Sequence, residues 1–408
     1  MKVLAINCGS STLKFHLIEM GGDGVTAAPE QRLAHGIVDR IGGNGVIEFT
    51  AENGESLKHR AAVADHSDAT RQVLGWLESL HLLEPDGLGA IGHRVVHGGA
   101  HFVDPTLIDD EVIDAIDGLS DLAPLHNEPS LMAIRAARSA LGPAVPMVAI
   151  FDTAFHHNMP EQACRYAIPQ ELAAKHNVRR YGFHGLAHRY MTERYATITS
   201  TPMSEVRIVT LQLGNGCSAT AVQAGHSVDT SMGFTPLEGL MMGTRSGDMD
   251  PSLVGFLARK EGVDVAEVEH WLNTQSGLLG VSGRSPDMRE LLEAEHLGDT
   301  SATLAVEMFC YRVRKYIGAY MAALGGADAV VFGGGIGENA PIVRARICAG
   351  MDWCGLTLDL NRNAAAIGVE ERISVGDADV HAYVIPVDEA MIIARDTVSC
   401  LHITGMHE

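Results

Sequence analysis

The chain has 408 residues and carries 30 Lys and Arg against 51 Asp and Glu, a formal net charge of -21. A surface this acidic repels nucleic acid and anionic membranes and points to a small ligand; if that ligand is itself an anion, a few local arginines must meet its charge. Seven scattered cysteines with no CxxC pair exclude a disulfide scaffold or a zinc site, and the absence of a membrane-length apolar run or secretory leader makes a cytoplasmic protein the expectation.

The chain opens on KVLAINCGSSTLKFHLI: a buried strand (Val3 to Ile6), a turn rich in hydroxyls and backbone donors (Asn7 to Thr12), and an antiparallel return through Leu13, Phe15 and Leu17. Such a turn offers N–H groups, hydroxyls and Lys14 to a phosphate, while Asn7 can hold water on a metal. Residues 21–60 read as further antiparallel strands, and Ala69, Val73, Leu77 and Leu80 recur at helical spacing. Residues 89–99 form a strand entering a loop rich in His, Arg and Gly. Helices follow at about 109–119 and 128–141, then a buried strand at 144–151 ending in Asp152. A second unit repeats the opening device. Val206 to Leu213 is a strand running into Gly214-Asn215-Gly216, with a strand return from Ala219, so the fold is expected to be internally duplicated. A Gly/Met segment (235–248), a mostly helical region, a long helix at about 301–324 stopped by Gly325-Gly326, a strand at 328–332 entering a glycine run at 333–339, a strand at 380–386 and a final helix begun by Asp388 and Glu389 complete the chain.

The glycine run matches neither a dinucleotide fingerprint nor a P-loop, since no Lys-Ser or Lys-Thr follows it. Arg94 and Arg245 lie in glycine-flanked loops, where they either form structural ion pairs or hold an anionic substrate. His126 and His184, with Asp152, Asn7 and Glu389, supply hydrogen-bond donors and magnesium-type oxygen ligands, or serve only as packing groups.

In their order, AINCGSSTLKF (5–15), HRVVHGG (93–99), APLHN (123–127), FDTAFH (151–156), RRYGFHG (179–185), LGNG (213–216), FTPLEGLMMGTRSGDMDP (234–251), GIGEN (335–339) and DEAMIIARDT (388–397) resemble the acetate kinase family over essentially the whole chain. The resemblance implies an α/β, duplicated actin-like (ribonuclease H-like) kinase fold with two domains around a nucleotide cleft. It divides the chain into an N-terminal acyl-substrate and metal domain (1–153), a C-terminal nucleotide-binding and dimerisation domain (154–387), and a last helix (388–408) returning to the first. The implied reaction is reversible phosphoryl transfer from ATP to acetate, giving acetyl phosphate and ADP, in a homodimer using Mg²⁺ or Mn²⁺.

Roles carried over from that resemblance fall on matching residues. Arg94, Asp152, His184, Arg245 and His126 are the implied catalytic groups; Asn7 and Glu389 hold the metal. Arg94, Val96, Leu125, Phe183 and Pro236 line the acyl pocket. Lys14, Gln212, Leu213, Gly214, Asn215 and Gly216, then Asp287, Met288 and Arg289, and finally Gly335, Ile336, Gly337, Glu338 and Asn339 take the nucleotide. The chain departs from the family pattern at Gln212, where histidine is common, at Leu186-Ala187 in place of two hydroxyl residues, and at Glu128. A propionate or other short-chain acyl kinase, a pyrophosphate-dependent acetate kinase and a non-catalytic ATP-binding module are the competing readings.

Overall fold

A computed structural model describes residues 1–21, 30–83, 87–119 and 124–405, with backbone only for 124–126. The chain divides into two compact units, Met1–Ala154 together with Asp388–Glu408, and Phe155–Val387.

In the first unit the described strands are β1 (Lys2–Cys8), β2 (Thr12–Glu19), β3 (Gln31–Asp39), β4 (Gly43–Ala51), β5 (Ser56–Val63), β6 (Ala90–Val95), β7 (Thr106–Leu107) and β8 (Met147–Phe151). They form one sheet in the order β5-β4-β3-β2-β1-β6-β8-β7. β1 pairs antiparallel with β2, Asn7 opposite Lys14, and parallel with β6, Asn7 opposite Arg94. Val3, Leu4, Ala5 and Ile6 are all buried, because a central strand is covered on both faces and needs a continuous apolar run. On one face Leu4, Ile6, Phe15 and Leu17 pack with Ala69, Val73 and Leu77 of the helix His66–Ser79 and with Leu131 and Ile134 of the helix Pro124–Leu141. That second helix begins ahead of the expected 128. Pro124 fits a first helical turn, where its missing N–H has no partner to lose, and Pro129 lies within the helix.

The second unit repeats the plan with β9 (Arg207–Leu213), β10 (Cys217–Gln223), β11 (His226–Thr230), β12 (Ala329–Gly333), β13 (Glu371–Arg372) and β14 (His381–Val384), in the order β11-β10-β9-β12-β14-β13. Each unit thus holds three antiparallel strands followed by two parallel ones, β3-β2-β1-β6-β8 and β11-β10-β9-β12-β14. The strand-turn-strand device seen twice in the sequence is therefore the start of a duplicated sheet. The long helix runs Thr300–Leu324, with Asp299 capping its start and Gly325, at φ +67°, ending it. The glycine run after β12 forms a short helix, Gly334–Asn339.

The other face of the first sheet receives the C-terminal helix Glu389–Ile403, and the approach is close at Gly92 on β6. A Cβ there would sit 2.3 Å from Thr397 Oγ1, 2.5 Å from Ile393 Cγ2 and 3.2 Å from the Ile393 carbonyl. Gly92→Ala should therefore lift this helix off the sheet and destabilise the protein by about 1–3 kcal/mol, the usual cost of overpacking. Denaturant midpoints compared at equal m-value would show it; an unchanged midpoint would mean that the helix is free to move.

Candidate functional site

The first unit gathers its polar side chains at the C-terminal ends of β1, β6 and β8, the edge where parallel sheets bind ligands. Asn7 is next to last on β1, Arg94 stands opposite it on β6, and Asp152 follows β8 directly, its N–H bonded to the Val95 carbonyl at 2.9 Å. Arg94 Nη2 donates to Asp152 Oδ2 at 2.7 Å, and Nη1 to Asn7 Oδ1 at 3.0 Å. Because a guanidinium only donates, Asn7 must turn its carbonyl to Arg94, which leaves its Nδ2 to donate to Glu389 Oε2 at 2.7 Å. Asp152 is fully buried, and Arg94 Nε is buried with no hydrogen-bond partner among the described residues. Burial alone would lower the Arg94 pKa, but Asp152 and Glu389 more than offset it and hold the guanidinium charged. Glu389 opens the C-terminal helix, where the helix dipole favours its charge; burial nevertheless raises its pKa above 4.5. The HRVVHGG loop is fixed from behind by Asn127, fully buried, whose side chain accepts from the His97 N–H (3.0 Å) and donates to the His97 carbonyl (3.1 Å).

In the second unit the turn after β9 faces His184 and Arg245. A Cβ on Gly216 would lie 3.3 Å from His184 Nε2 and 3.6 Å from Arg245 Nη1, so both side chains stand over this turn. The Gly/Met segment is held there by the Gly243 N–H, bonded to the Asn215 carbonyl at 2.9 Å. Arg245 differs from Arg94 in one respect: no ion pair to it is present among the described residues, and its nearest polar contact is Met242 Sδ at 3.9 Å. Burial depresses its pKa, with no carboxylate to oppose the effect. A half-buried cation without a counter-charge is a ready site for an anion. His184 caps the helix Gly185–Thr199 at φ +57°, a left-handed backbone uncommon outside glycine and frequent at functional positions.

Beside this turn lies a cavity of about 760 Å³. Gly214, Asn215, Asp287, Met288, Arg289, Gly335, Ile336 and Asn339 line it, all expected from the sequence. Pro286, Leu292, Ala340, Pro341 and Ile342 also line it and were missed; Leu292 was readable as the residue one helical turn after Met288. Gly216 faces His184 instead, Leu213 is fully buried, and Gly337 packs against Phe332 and Leu213. Glu338 accepts from the N–H groups of Gly334 (2.8 Å) and Val387 (3.1 Å), bracing the glycine turn. Gln212 buries its Oε1 with no partner among the described residues. Lys14 belongs with the first unit's group, near enough to lower the Glu389 pKa. Val96 is buried just past β6 in the first unit; Phe183 is buried and Pro236 half-buried in the second. The side chains of Leu125 and His126 lie outside the described residues.

A family model described as the acetokinase family matches residues 2–395. The chain belongs to that family. It is 50% identical to the acetate kinase of Solibacter usitatus, the match covering 98% of each chain. Among solved structures, acetate kinase from Porphyromonas gingivalis superposes with TM-score 0.89 at 41% identity, covering 98% of this chain and 99% of that one. A propionate kinase from Francisella tularensis gives the same TM-score at 40% identity, with the same coverage. Acetokinase membership makes the protein a two-unit actin-like kinase that phosphorylates a carboxyl group. Among the described residues no helix is long and apolar enough to cross a membrane.

For a metal, the first unit offers the Glu389 carboxylate and the Asn7 amide, and no group of three or more His, Cys, Asp or Glu among the described residues could hold one. This suits Mg²⁺, which takes one or two protein oxygens and completes its shell with phosphates and water, and does not suit zinc. A carboxylate whose charge is disfavoured by burial gains most when a cation arrives. Its raised folded pKa means that Glu389 contributes stability fully below about 4.5 and loses it as pH rises through the folded value. Glu389→Gln, always uncharged, should thus melt at or above the wild-type temperature in EDTA at pH 8, the gap closing towards pH 4.5, while activity is lost. A clear drop in melting temperature at pH 8 would contradict this.

Proposed function

We propose that the protein is an acetate kinase, transferring the γ-phosphoryl group of ATP reversibly to acetate to give acetyl phosphate and ADP. The observation carrying this reading is Arg245, a half-buried guanidinium with no counter-ion among the described residues, standing with His184 over the Gly214–Gly216 turn. An acyl carboxylate, with a pKa near ~4 to 5, is ionised at neutral pH and needs no general base. The protein's work is alignment and charge neutralisation, which two arginines and a histidine supply. In this reading Arg94, held by Asp152, receives the carboxylate; Arg245 and His184 stabilise the transferring group, with His126 as a supporting donor. Asn7 and Glu389 would hold Mg²⁺ or Mn²⁺, which would neutralise phosphate charge. The first unit then serves acyl substrate and metal, and the second the nucleotide.

The apolar part of the 760 Å³ cavity, Met288, Leu292, Ile336 and Ile342, supports a nucleoside and therefore ATP over pyrophosphate, which has nothing to bury there. The Francisella relative keeps propionate in play as a second substrate. Val96, with Leu125, Phe183 and Pro236, is the residue we assign to closing the pocket, and one methylene is worth only about 1 to 3 kcal/mol of discrimination. A homodimer through the second unit is supported by exposed Leu253, Phe256, Leu304 and Tyr311, and free, mostly buried cysteines support a reducing cytoplasm.

Purified protein given ATP, Mg²⁺ and acetate should form acyl phosphate, trapped as the hydroxamate, with acetate preferred to propionate in kcat/KM. EDTA should abolish the activity and Mg²⁺ or Mn²⁺ restore it. Arg245→Ala should keep the fold and lower kcat at least ~100-fold, the scale of one transition-state donor. Pyrophosphate outperforming ATP, propionate outperforming acetate, or a folded Arg245→Ala enzyme with normal turnover would each refute the corresponding part.

A further inference from the structure

Ser218, Thr210 and His188 are fully buried behind His184 and have no part in the chemistry described so far. Ser218 Oγ, on β10, lies 2.9 Å from His184 Nδ1 and 2.7 Å from His188 Nε2, and His188 Nδ1 lies 2.8 Å from Thr210 Oγ1 on β9. A hydroxyl has one proton and two lone pairs; with no other acceptor for Ser218 Oγ among the described residues, it donates to one imidazole and accepts from the other, which gives the row a single polarity. Thr210 decides which. Its alternative acceptor, the Thr220 carbonyl, is 3.5 Å away, outside the 2.5–3.0 Å range of a good O–H···O bond, while His188 Nδ1 is well within reach. With Thr210 donating to Nδ1, neutral His188 carries its proton on Nε2 and donates it to Ser218. Ser218 then donates to His184 Nδ1, and the proton of neutral His184 stands on Nε2, the nitrogen over Gly216 beside Arg245.

We propose that Thr210, His188 and Ser218 form a hydrogen-bond relay that fixes the tautomer of His184, so that while uncharged it carries its proton on Nε2. The three are positioning residues, and the inference rests on the reading of His184 as a donor to the transferring phosphoryl group. Their purpose is economy of charge. A neutral donor works at any pH above its own titration, whereas an imidazolium beside Arg245 would repel it and vanish above neutrality. The surroundings keep His188 neutral: burial first, then the neighbouring His156 and His184, push its pKa well below 6.5. Among the described residues, titratable or charged groups near the relay include His156, whose ring centre is 5.8 Å from that of His188, Cys217, whose pKa burial raises, and Arg245.

The test is ¹⁵N NMR of histidine-labelled protein at pH 8, the two signals assigned with His184→Asn and His188→Asn, together with pH profiles of kcat. Both histidines should show the Nε2–H tautomer, and wild-type kcat should not fall between pH 6.5 and 8.5. Ser218→Ala should give His184 a mixture of tautomers and a kcat that drops about tenfold across that range, with KM for ATP and acetate within about twofold. Ser218→Thr, which keeps the hydroxyl, should restore both. An Nδ1–H signal for His184 in the wild type, or a Ser218→Ala enzyme with unchanged tautomer and profile, overturns the relay. The tautomer is read from the resting protein without substrate, so an error in the assigned substrate would leave it standing.

Discussion

The first unit depends on a buried ion pair that on energetic grounds alone would be a poor bargain. Taking Arg94 and Asp152 out of water costs several kcal/mol per ion, and their attraction repays this only when geometry is good and the remaining donors are satisfied. Here a 2.7 Å bond joins them and Asn7 takes a second N–H, while Arg94 Nε is left buried and unpartnered among the described residues. Apolar residues of similar volume would make a more stable core. What the pair confers is a guanidinium fixed at the ends of three parallel strands, with a plane and position set before any substrate arrives.

Arg245 follows the opposite logic. It has no counter-ion among the described residues, and burial works against its charge. One arginine is thus preorganised by an internal anion and the other is left electrostatically incomplete. An enzyme whose substrates are all anions needs both kinds, a rigid holder and an unsatisfied attractor. Glu389 lies between the two, a carboxylate disfavoured by burial and only partly offset by Arg94, Lys14 and the Asn7 amide, so an incoming cation would relieve it further.

Much of this was legible in the sequence wherever chemistry and local pattern coincide. The strand-turn-strand device at 3–18 and again at 206–224 marked the duplication: one copy could be an ordinary hairpin, but its recurrence two hundred residues later pointed to a repeated unit. Arg94 stood out as a cation in a glycine-flanked stretch of an acidic chain, and Asn7 and Asp152 as oxygen-bearing residues at strand ends; Arg94 lies within β6 and not in the loop expected for it. Residues whose role is purely tertiary stayed hidden. Asn127 clamps the backbone of a loop 30 residues away, and Ser218, on β10, joins two histidines at the start of the helix Gly185–Thr199. Nothing in their local sequence distinguishes them from ordinary core serines and asparagines. The helix in the glycine run left no signal because it is six residues long, too short for a period to register.

The central claim is that the buried pair exists to aim Arg94 at the acyl carboxylate, and Asp152→Asn tests it most directly. Asparagine preserves shape and an acceptor for Nη2 but removes the nearer charge, leaving Glu389 as the guanidinium's main counter-charge, at a cost of about 3 kcal/mol in unfolding free energy. The account predicts that kcat/KM for acetate falls by at least ~30-fold, about 2 kcal/mol, while KM for ATP stays within about threefold. A folded Asp152→Asn protein with wild-type acetate kinetics would contradict it.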